Sequence, residues 1–191
     1  VAEPGFSGPT TPGGDELQGI WSPDGQSIVF VAMTNRSAAA YSETNTDLFQ
    51  VSLNGGEPKR LTAGKDSHYG PKFSPDGKAL YCNFVPNTDR VYNLNRIVSF
   101  AWPAMGDRKV LTANFDRAPS GFAVTPDSKT IFLLAEEAGN EKLYSVPASG
   151  GEVKLAMDMI RGVYTNLAIP SAAPSAMLFA DWESATNPAE V

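Results

Sequence analysis

The sequence predicts an all-β protein assembled from four-stranded antiparallel units, and three observations carry that expectation. A near-identical turn recurs three times, as Trp21-Ser22-Pro23-Asp24-Gly25, Phe73-Ser74-Pro75-Asp76-Gly77 and Val124-Thr125-Pro126-Asp127-Ser128. Its prolines, Pro23, Pro75 and Pro126, lie 52 and 51 residues apart. Self-similarity at such a period marks units that must stack on their neighbours to bury their faces. The 15 prolines and 17 glycines of the 191 residues are spread along the chain as closely spaced turn signals, which suits many short strands.

Each element of the repeat has a local reason. Proline presets φ for the second position of a type I turn, aspartate suits the third, and glycine takes the following left-handed position without a Cβ penalty. In the third copy Ser128 stands where the others have glycine, at a cost of about 1 kcal/mol unless the turn is built differently. The aspartates of these turns are turn formers, not ligands or acids. A strand apolar on both faces follows each turn: Ile28–Val31, Ala79–Cys82 and Ile131–Leu134. Such runs suit a strand covered on both sides. Third strands are expected at 47–53, 95–100 and 142–146. Gly-Gly turns at 54–57 and 149–152 follow in the first and third repeats, and short last strands end near Thr62, Thr112 and Ala156.

Four antiparallel strands with a period near 50 form the blade of a β-propeller, so the expected fold is a partial propeller of about three full blades plus part of a fourth. The expected boundaries are blades at 15–63, 66–113 and 117–157 and a partial blade at 163–191, with 1–14 as the tail of a preceding blade. A broken ring of this kind leaves apolar faces and strand edges at its ends, so the further expectation is that the chain self-associates or that residues 1–14 supply a closing strand to the last blade.

A net charge of −6 and a pI near 4.8 argue against a nucleic-acid partner, because phosphate binding needs a basic face. The longest apolar runs are too short to cross a bilayer, so no membrane partner is expected. No secretory signal opens the chain, although Val1 is not a natural first residue, and the compartment stays open between periplasmic or secreted and cytoplasmic. The lone Cys82 sits in an apolar strand pattern and reads as a small buried hydrophobe.

The pattern over Trp21–Phe30 and Asp47–Thr62 resembles the propeller repeats shared by prolyl oligopeptidase-type serine peptidases, such as dipeptidyl and acylaminoacyl peptidases, and by TolB-type proteins. The matching residues are Trp21-Ser22-Pro23-Asp24-Gly25 with Ile28 and Phe30, then Asp47-Leu48-Phe49, Gly55-Gly56-Glu57-Pro58 and Arg60-Leu61-Thr62. Kelch-type repeats also carry a Gly-Gly pair, but the aromatic positions that follow it there are absent after Glu57-Pro58 and Glu152-Val153. The segment Ser184-Ala185-Thr186-Asn187-Pro188-Ala189-Glu190 is similar to the Ser-x-Thr-x-Pro-x-Glu stretch that leads into the hydrolase domain of the peptidases, which favours the peptidase likeness over the TolB one. The resemblance implies a non-catalytic propeller that gates and helps bind peptide substrates for an α/β-hydrolase domain of the same parent chain. The TolB alternative implies a protein-binding propeller without enzymatic activity.

No Gly-x-Ser-x-Gly nucleophile elbow exists in this chain; Gly5-Phe6-Ser7-Gly8 fails at the fifth position. The single histidine, His68, falls beside Asp66 and Ser67 and reads as a solvent-facing loop residue. Glu136-Glu137 and Asp15-Glu16 read as solvated loop charges. No catalytic residue, metal site or cofactor is therefore expected in this chain by itself. The Ser-Pro-Asp-Gly and Gly-Gly turns should share one rim, leaving the opposite rim to the longer connections at 34–46 and 84–94. Loops above the repeat minimum tend to carry function. The second holds Asp89, Arg90, Tyr92 and Asn93, the candidate substrate-binding residues, able to hold a peptide terminus or another domain.

Overall fold

The computed structural model describes residues 19–33, 40–41, 44–159, 161–170 and 177–186. The expected tail at 1–14, the Asp15-Glu16 pair, residues 34–39 and 42–43 of the 34–46 connection and residues 187–191 lie outside the described residues. Among the described residues every regular element is a strand. The first sheet contains β1 (Gly19–Trp21), β2 (Ser27–Ala32), β3 (Asp47–Ser52) and β4 (Lys59–Arg60). The second contains β5 (Ser67–Phe73), β6 (Ala79–Val85), β7 (Arg96–Ala101) and β8 (Lys109–Val110). The third contains β9 (Pro119–Val124), β10 (Thr130–Glu137), β11 (Asn140–Pro147) and β12 (Lys154–Met157), and β13 (Val163–Ala168) pairs with β14 (Phe179–Glu183). Each sheet runs in chain order, the three larger ones having four strands and the last two. The fold is a partial all-β propeller of antiparallel blades.

The recurrent turn is built the same way three times. Ser22 N–H donates to Ser27 O at 2.9 Å and Gly25 N–H to Ser22 O at 2.8 Å, and Ser74/Ala79/Gly77 and Thr125/Thr130/Ser128 repeat the pattern. In each copy the hydroxyl of the first residue donates to the aspartate at 2.6 Å, as Ser22–Asp24, Ser74–Asp76 and Thr125–Asp127. The same hydroxyl accepts the N–H of Ser27, Ala79 or Thr130, closing the hairpin from both sides. Gly25 and Gly77 are left-handed at φ 66° and 71°, and Ser128 takes the same conformation at φ 59°. The third turn is therefore not a different turn. Ser128 bears the strain of the left-handed position, and its Oγ accepts the N–H of Asp76 at 3.1 Å.

These contacts hold the Asp24, Asp76 and Asp127 carboxyls below the usual carboxylate range. The hydroxyl donor is the largest cause in each case, and the backbone N–H of Gln26, Lys78 or Lys129 comes next. A carboxyl whose folded pKa is depressed stabilises the fold above its unfolded pKa, and that contribution is lost as pH falls through the folded value. Stability should thus decline on acidification, and Ser22→Ala, Ser74→Ala and Thr125→Val combined should flatten the decline. Urea midpoints measured from neutral to acid pH check this, and an unchanged slope in the triple variant contradicts it.

By contacts the chain divides into two compact units, residues 1–73 with 80–93 and residues 74–79 with 94–191. In the first, Val29, Val31, Leu48, Leu80 and Cys82 are fully buried, and Phe30 stacks on Phe49 at 5.8 Å. Cys82 is the small core residue its strand pattern suggests. In the second, Ile97, Val98, Phe122, Ile131, Leu133, Leu134 and Val146 form the buried set. A cluster of Ala123, Leu134, Leu143 and Leu167 carries Tyr164, Leu178 and Ala180 of the last hairpin against the third sheet.

Two sequence expectations fail. His68 is not a solvent-facing loop residue: it lies in β5, 1 % exposed, paired with Phe84 and with its ring 5.4 Å from that phenylalanine. Its N–H donates to Thr46 O, and Thr46 Oγ1 donates back to His68 O, each at 2.9 Å, so the backbone of a polar-looking stretch is recruited into the sheet. Glu136 and Glu137 are not loop charges, because β10 runs on to Glu137 and pairs it with Asn140.

Candidate functional site

The connection from β6 to β7 presents the candidate residues Asp89, Arg90, Tyr92 and Asn93. Its start is fixed by the fold: Asn87 N–H donates to Asp66 Oδ1 at 2.9 Å. Its middle is braced by itself. Thr88 Oγ1 donates to Asn93 Oδ1 at 2.6 Å and accepts Arg90 N–H at 3.2 Å, while Asn93 Nδ2 donates to Arg90 O at 3.4 Å. Short polar side chains that bond their own backbone in this way hold a loop in shape without a core. The braced loop turns Val91 and Tyr92 outward, both 89 % exposed, and leaves Asp89 and Arg90 at the surface. Asn93 is thus a structural brace, whereas Asp89, Arg90 and Tyr92 offer a carboxylate, a guanidinium and a phenol to whatever approaches.

A second polar assembly, which sequence reading missed, lies in the second unit around Glu137. Its carboxylate is paired with Arg117, with Lys142 at 3.1 Å and with the Tyr144 hydroxyl, which donates at 2.9 Å. Lys142 also reaches Asp158 at 3.4 Å. The Arg117 guanidinium lies 5.7 Å from the ring centre of Phe115 and 5.9 Å from that of Tyr144, and the two rings meet edge to face at 4.9 Å. Hydrogen bonds from Lys142 and then Tyr144 hold the Glu137 carboxyl below its ordinary range, and the same carboxylate raises Lys142. Desolvation first, then the bond to Glu137, pushes the Tyr144 phenol up. Every group here is engaged, so the assembly clamps the 113–118 link to the third sheet. Beside it runs an open groove of about 870 Å³, lined in part by Asn114, Phe115, Arg117, Tyr144 and Gly150. Only the adjacency of Glu136 and Glu137 hinted at it, because the partners are spread from Phe115 to Asp158.

Among the described residues, no group of three or more His, Cys, Asp or Glu side chains is arranged to hold a metal ion. The sequence-predicted residues are brought together only as neighbours on one loop.

No family model matches the sequence. Among curated proteins, the chain is 31 % identical over 138 residues to dipeptidyl-peptidase 5 of Porphyromonas gingivalis, a match covering 70 % of this chain and 20 % of that protein. The chain thus spans about one fifth of the length of that relative. Among solved structures, the β-propeller domain of the Trilobed protease from Pyrococcus furiosus superposes with a TM-score of 0.65 at 18 % identity, covering 91 % of this chain and 50 % of that one. A TolB-like protein from Agrobacterium tumefaciens superposes with a TM-score of 0.63 at 19 % identity, covering 87 % and 53 %. At such identities the two structures speak for the fold alone. The recurrent turns, the four-stranded sheets and the similarity to a dipeptidyl peptidase match the propeller repeats of the prolyl oligopeptidase-type serine peptidases, and TolB-type propellers share the fold.

Proposed function

We propose that the chain is the non-catalytic propeller portion of a prolyl oligopeptidase-type serine peptidase, gating and helping to bind peptides for an α/β-hydrolase domain of the same parent chain. The observation that carries this reading is the 31 % identity to a dipeptidyl peptidase of which the match accounts for only 20 %. The lack of a Gly-x-Ser-x-Gly stretch in the sequence supports a non-catalytic role for this portion. Purified alone, the chain should hydrolyse no chromogenic dipeptidyl substrate, and a fluorophosphonate probe should label none of its serines. A labelled serine would overturn the assignment.

Asp89, Arg90 and Tyr92 are the proposed peptide contacts, since they are exposed on a loop that is already shaped and so costs little to order on binding. In the parent peptidase, Arg90→Ala with Tyr92→Ala should raise KM about tenfold with kcat nearly kept, the signature of lost uniform binding. An unchanged KM removes the loop from the binding surface. A second reading, a protein-binding propeller without activity, rests on the resemblance of the Trp21–Phe30 and Asp47–Thr62 repeat pattern to TolB-type proteins. The gene discriminates: a Gly-x-Ser-x-Gly elbow encoded downstream of Val191 supports the peptidase reading, and a stop codon there supports the second.

A further inference from the structure

The connection from β3 to β4 repeats the build of the recurrent turn, with asparagine in place of aspartate. Gly55 N–H donates to Ser52 O at 3.0 Å, as Gly25 does to Ser22 O at 2.8 Å and Gly77 to Ser74 O at 2.9 Å. All three glycines are left-handed, at φ 83°, 66° and 71°. Each turn therefore sets a carbonyl-bearing side chain, Asn54, Asp24 or Asp76, directly before a glycine amide that no Cβ crowds. In such a pair the glycine nitrogen can attack the side-chain carbon before it.

The side chains separate the three turns. Asp24 accepts the Ser22 hydroxyl at 2.6 Å and the Gln26 N–H at 3.0 Å. Asp76 accepts the Ser74 hydroxyl at 2.6 Å and the Lys78 N–H at 3.1 Å. A carboxylate kept ionised and tied to two donors is a poor electrophile. Asn54 has neither protection: its neutral side chain is exposed and makes no hydrogen bond among the described residues. The Ser52 hydroxyl, which stands where Ser22 and Ser74 hold their aspartates, accepts the Asn54 main-chain N–H instead, at 3.1 Å. Apart from chain neighbours, nothing lies within 4 Å of where a Cβ on Gly55 or Gly56 would stand, so solvent reaches the linkage.

We infer that Asn54 is a site of spontaneous covalent modification, where this chain ages by deamidation, while Asp24 and Asp76 are protected by their turns. The Gly55 nitrogen gives its proton to solvent and forms a bond to Asn54 Cγ. The Cγ–Nδ2 bond breaks, Nδ2 takes up a proton from water and leaves as ammonia, and a cyclic imide remains. Water then opens the imide. Opening at Cγ leaves aspartate, and opening at the main-chain carbonyl leaves isoaspartate, with the chain running through the former side chain. Amide and water thus become acid and ammonia, with no oxidant or reductant. The third sheet carries a residue immune to this step in the matching place. Its turn bonds Gly150 N–H to Pro147 O at 2.7 Å, but Ser149 has no side-chain carbonyl to be attacked.

The test ages the folded chain in warm, mildly alkaline buffer beside synthetic peptides of residues 22–28, 50–58 and 74–80. Tandem mass spectrometry and an isoaspartate-specific methyltransferase follow each site. Asn54 should convert in the folded chain as well as in its peptide. The slowing of folded chain against peptide should be about tenfold greater at Asp24 and Asp76 than at Asn54, since attack there must first break a hydrogen bond to a charged group. Asn54→Ser, which copies the residue at 149, should abolish the more acidic species that accumulates, with circular dichroism unchanged. Equal slowing at the three sites overturns the inference. So does an Asn54 that stays intact in the folded chain while its peptide is consumed, or an acidic species that persists in Asn54→Ser.

Discussion

Replacing Phe122 by alanine is expected to destabilise the second unit by about 3–5 kcal/mol, the range found when a buried aromatic ring is deleted from a close-packed core. Phe122 is 2 % exposed, the largest of the fully buried side chains, and sits opposite Leu133 on the ladder between β9 and β10. Against a typical domain stability of about 5–15 kcal/mol, this is a large fraction. The measurement is a urea titration, with the midpoint falling and the slope unchanged if the native packing is otherwise kept. A loss under about 1 kcal/mol would mean that the surrounding sheet collapses into the space, contrary to the close packing expected beside the fully buried Ile131 and Leu133 on the same face.

Asp47→Ala should cost about 2–3 kcal/mol, less than a fully enclosed ion pair, because one of its partners can return to water. The carboxylate is 3 % exposed and accepts Thr62 Oγ1 at 2.8 Å and Asn45 Nδ2 at 3.1 Å, with Arg60 paired to its second oxygen. Arg60 is 42 % exposed, so removing the carboxylate does not strand a buried cation. The Thr62 hydroxyl loses its acceptor but keeps the N–H of Leu48 as a donor at 3.0 Å. Arg60→Ala should cost clearly less than Asp47→Ala. A double-mutant cycle on unfolding free energy separates the pair from the hydroxyl contacts, and equal single losses would contradict the arrangement.

The strands and turns were legible because their causes are local. Ser-Pro-Asp-Gly forms its own hydrogen bonds within five residues, and apolar runs such as Ile131–Leu134 announce burial on both faces. The polar contacts were not legible, because their partners come from distant parts of the repeat and change identity between copies. Asp47, Arg96 and Lys142 occupy the same place at the start of the third strand and carry opposite charges. Each finds a different local answer: Asp47 pairs with Arg60, Arg96 donates to Phe115 O, and Lys142 pairs with Glu137. His68 misled for a related reason. Its neighbours Asp66 and Ser67 look like loop, but an exchange of backbone hydrogen bonds with Thr46, on another segment, turns the stretch into strand. Of the candidate site, sequence could name the exposed loop and its charged and aromatic groups. It could not foresee that Asn93 would be spent holding that loop in shape.

The serine at 128 bears on a difficulty inherent in near-copies. Three hairpins with almost the same turn and similar strands are candidates to take one another's places while the chain is still sorting its pairings, and a sequence guards against that by making some contacts impossible in the wrong arrangement. A glycine at 128 would relieve the left-handed strain but carry no hydroxyl. The serine accepts a local penalty and thereby presents an oxygen that meets the Asp76 amide when the second and third turns are neighbours. Gly25 and Gly77, lacking a side chain, can offer no such oxygen in any order of stacking. The departure from the repeat consensus thus works as an address, distinguishing one turn from its siblings and telling it which neighbour is the right one.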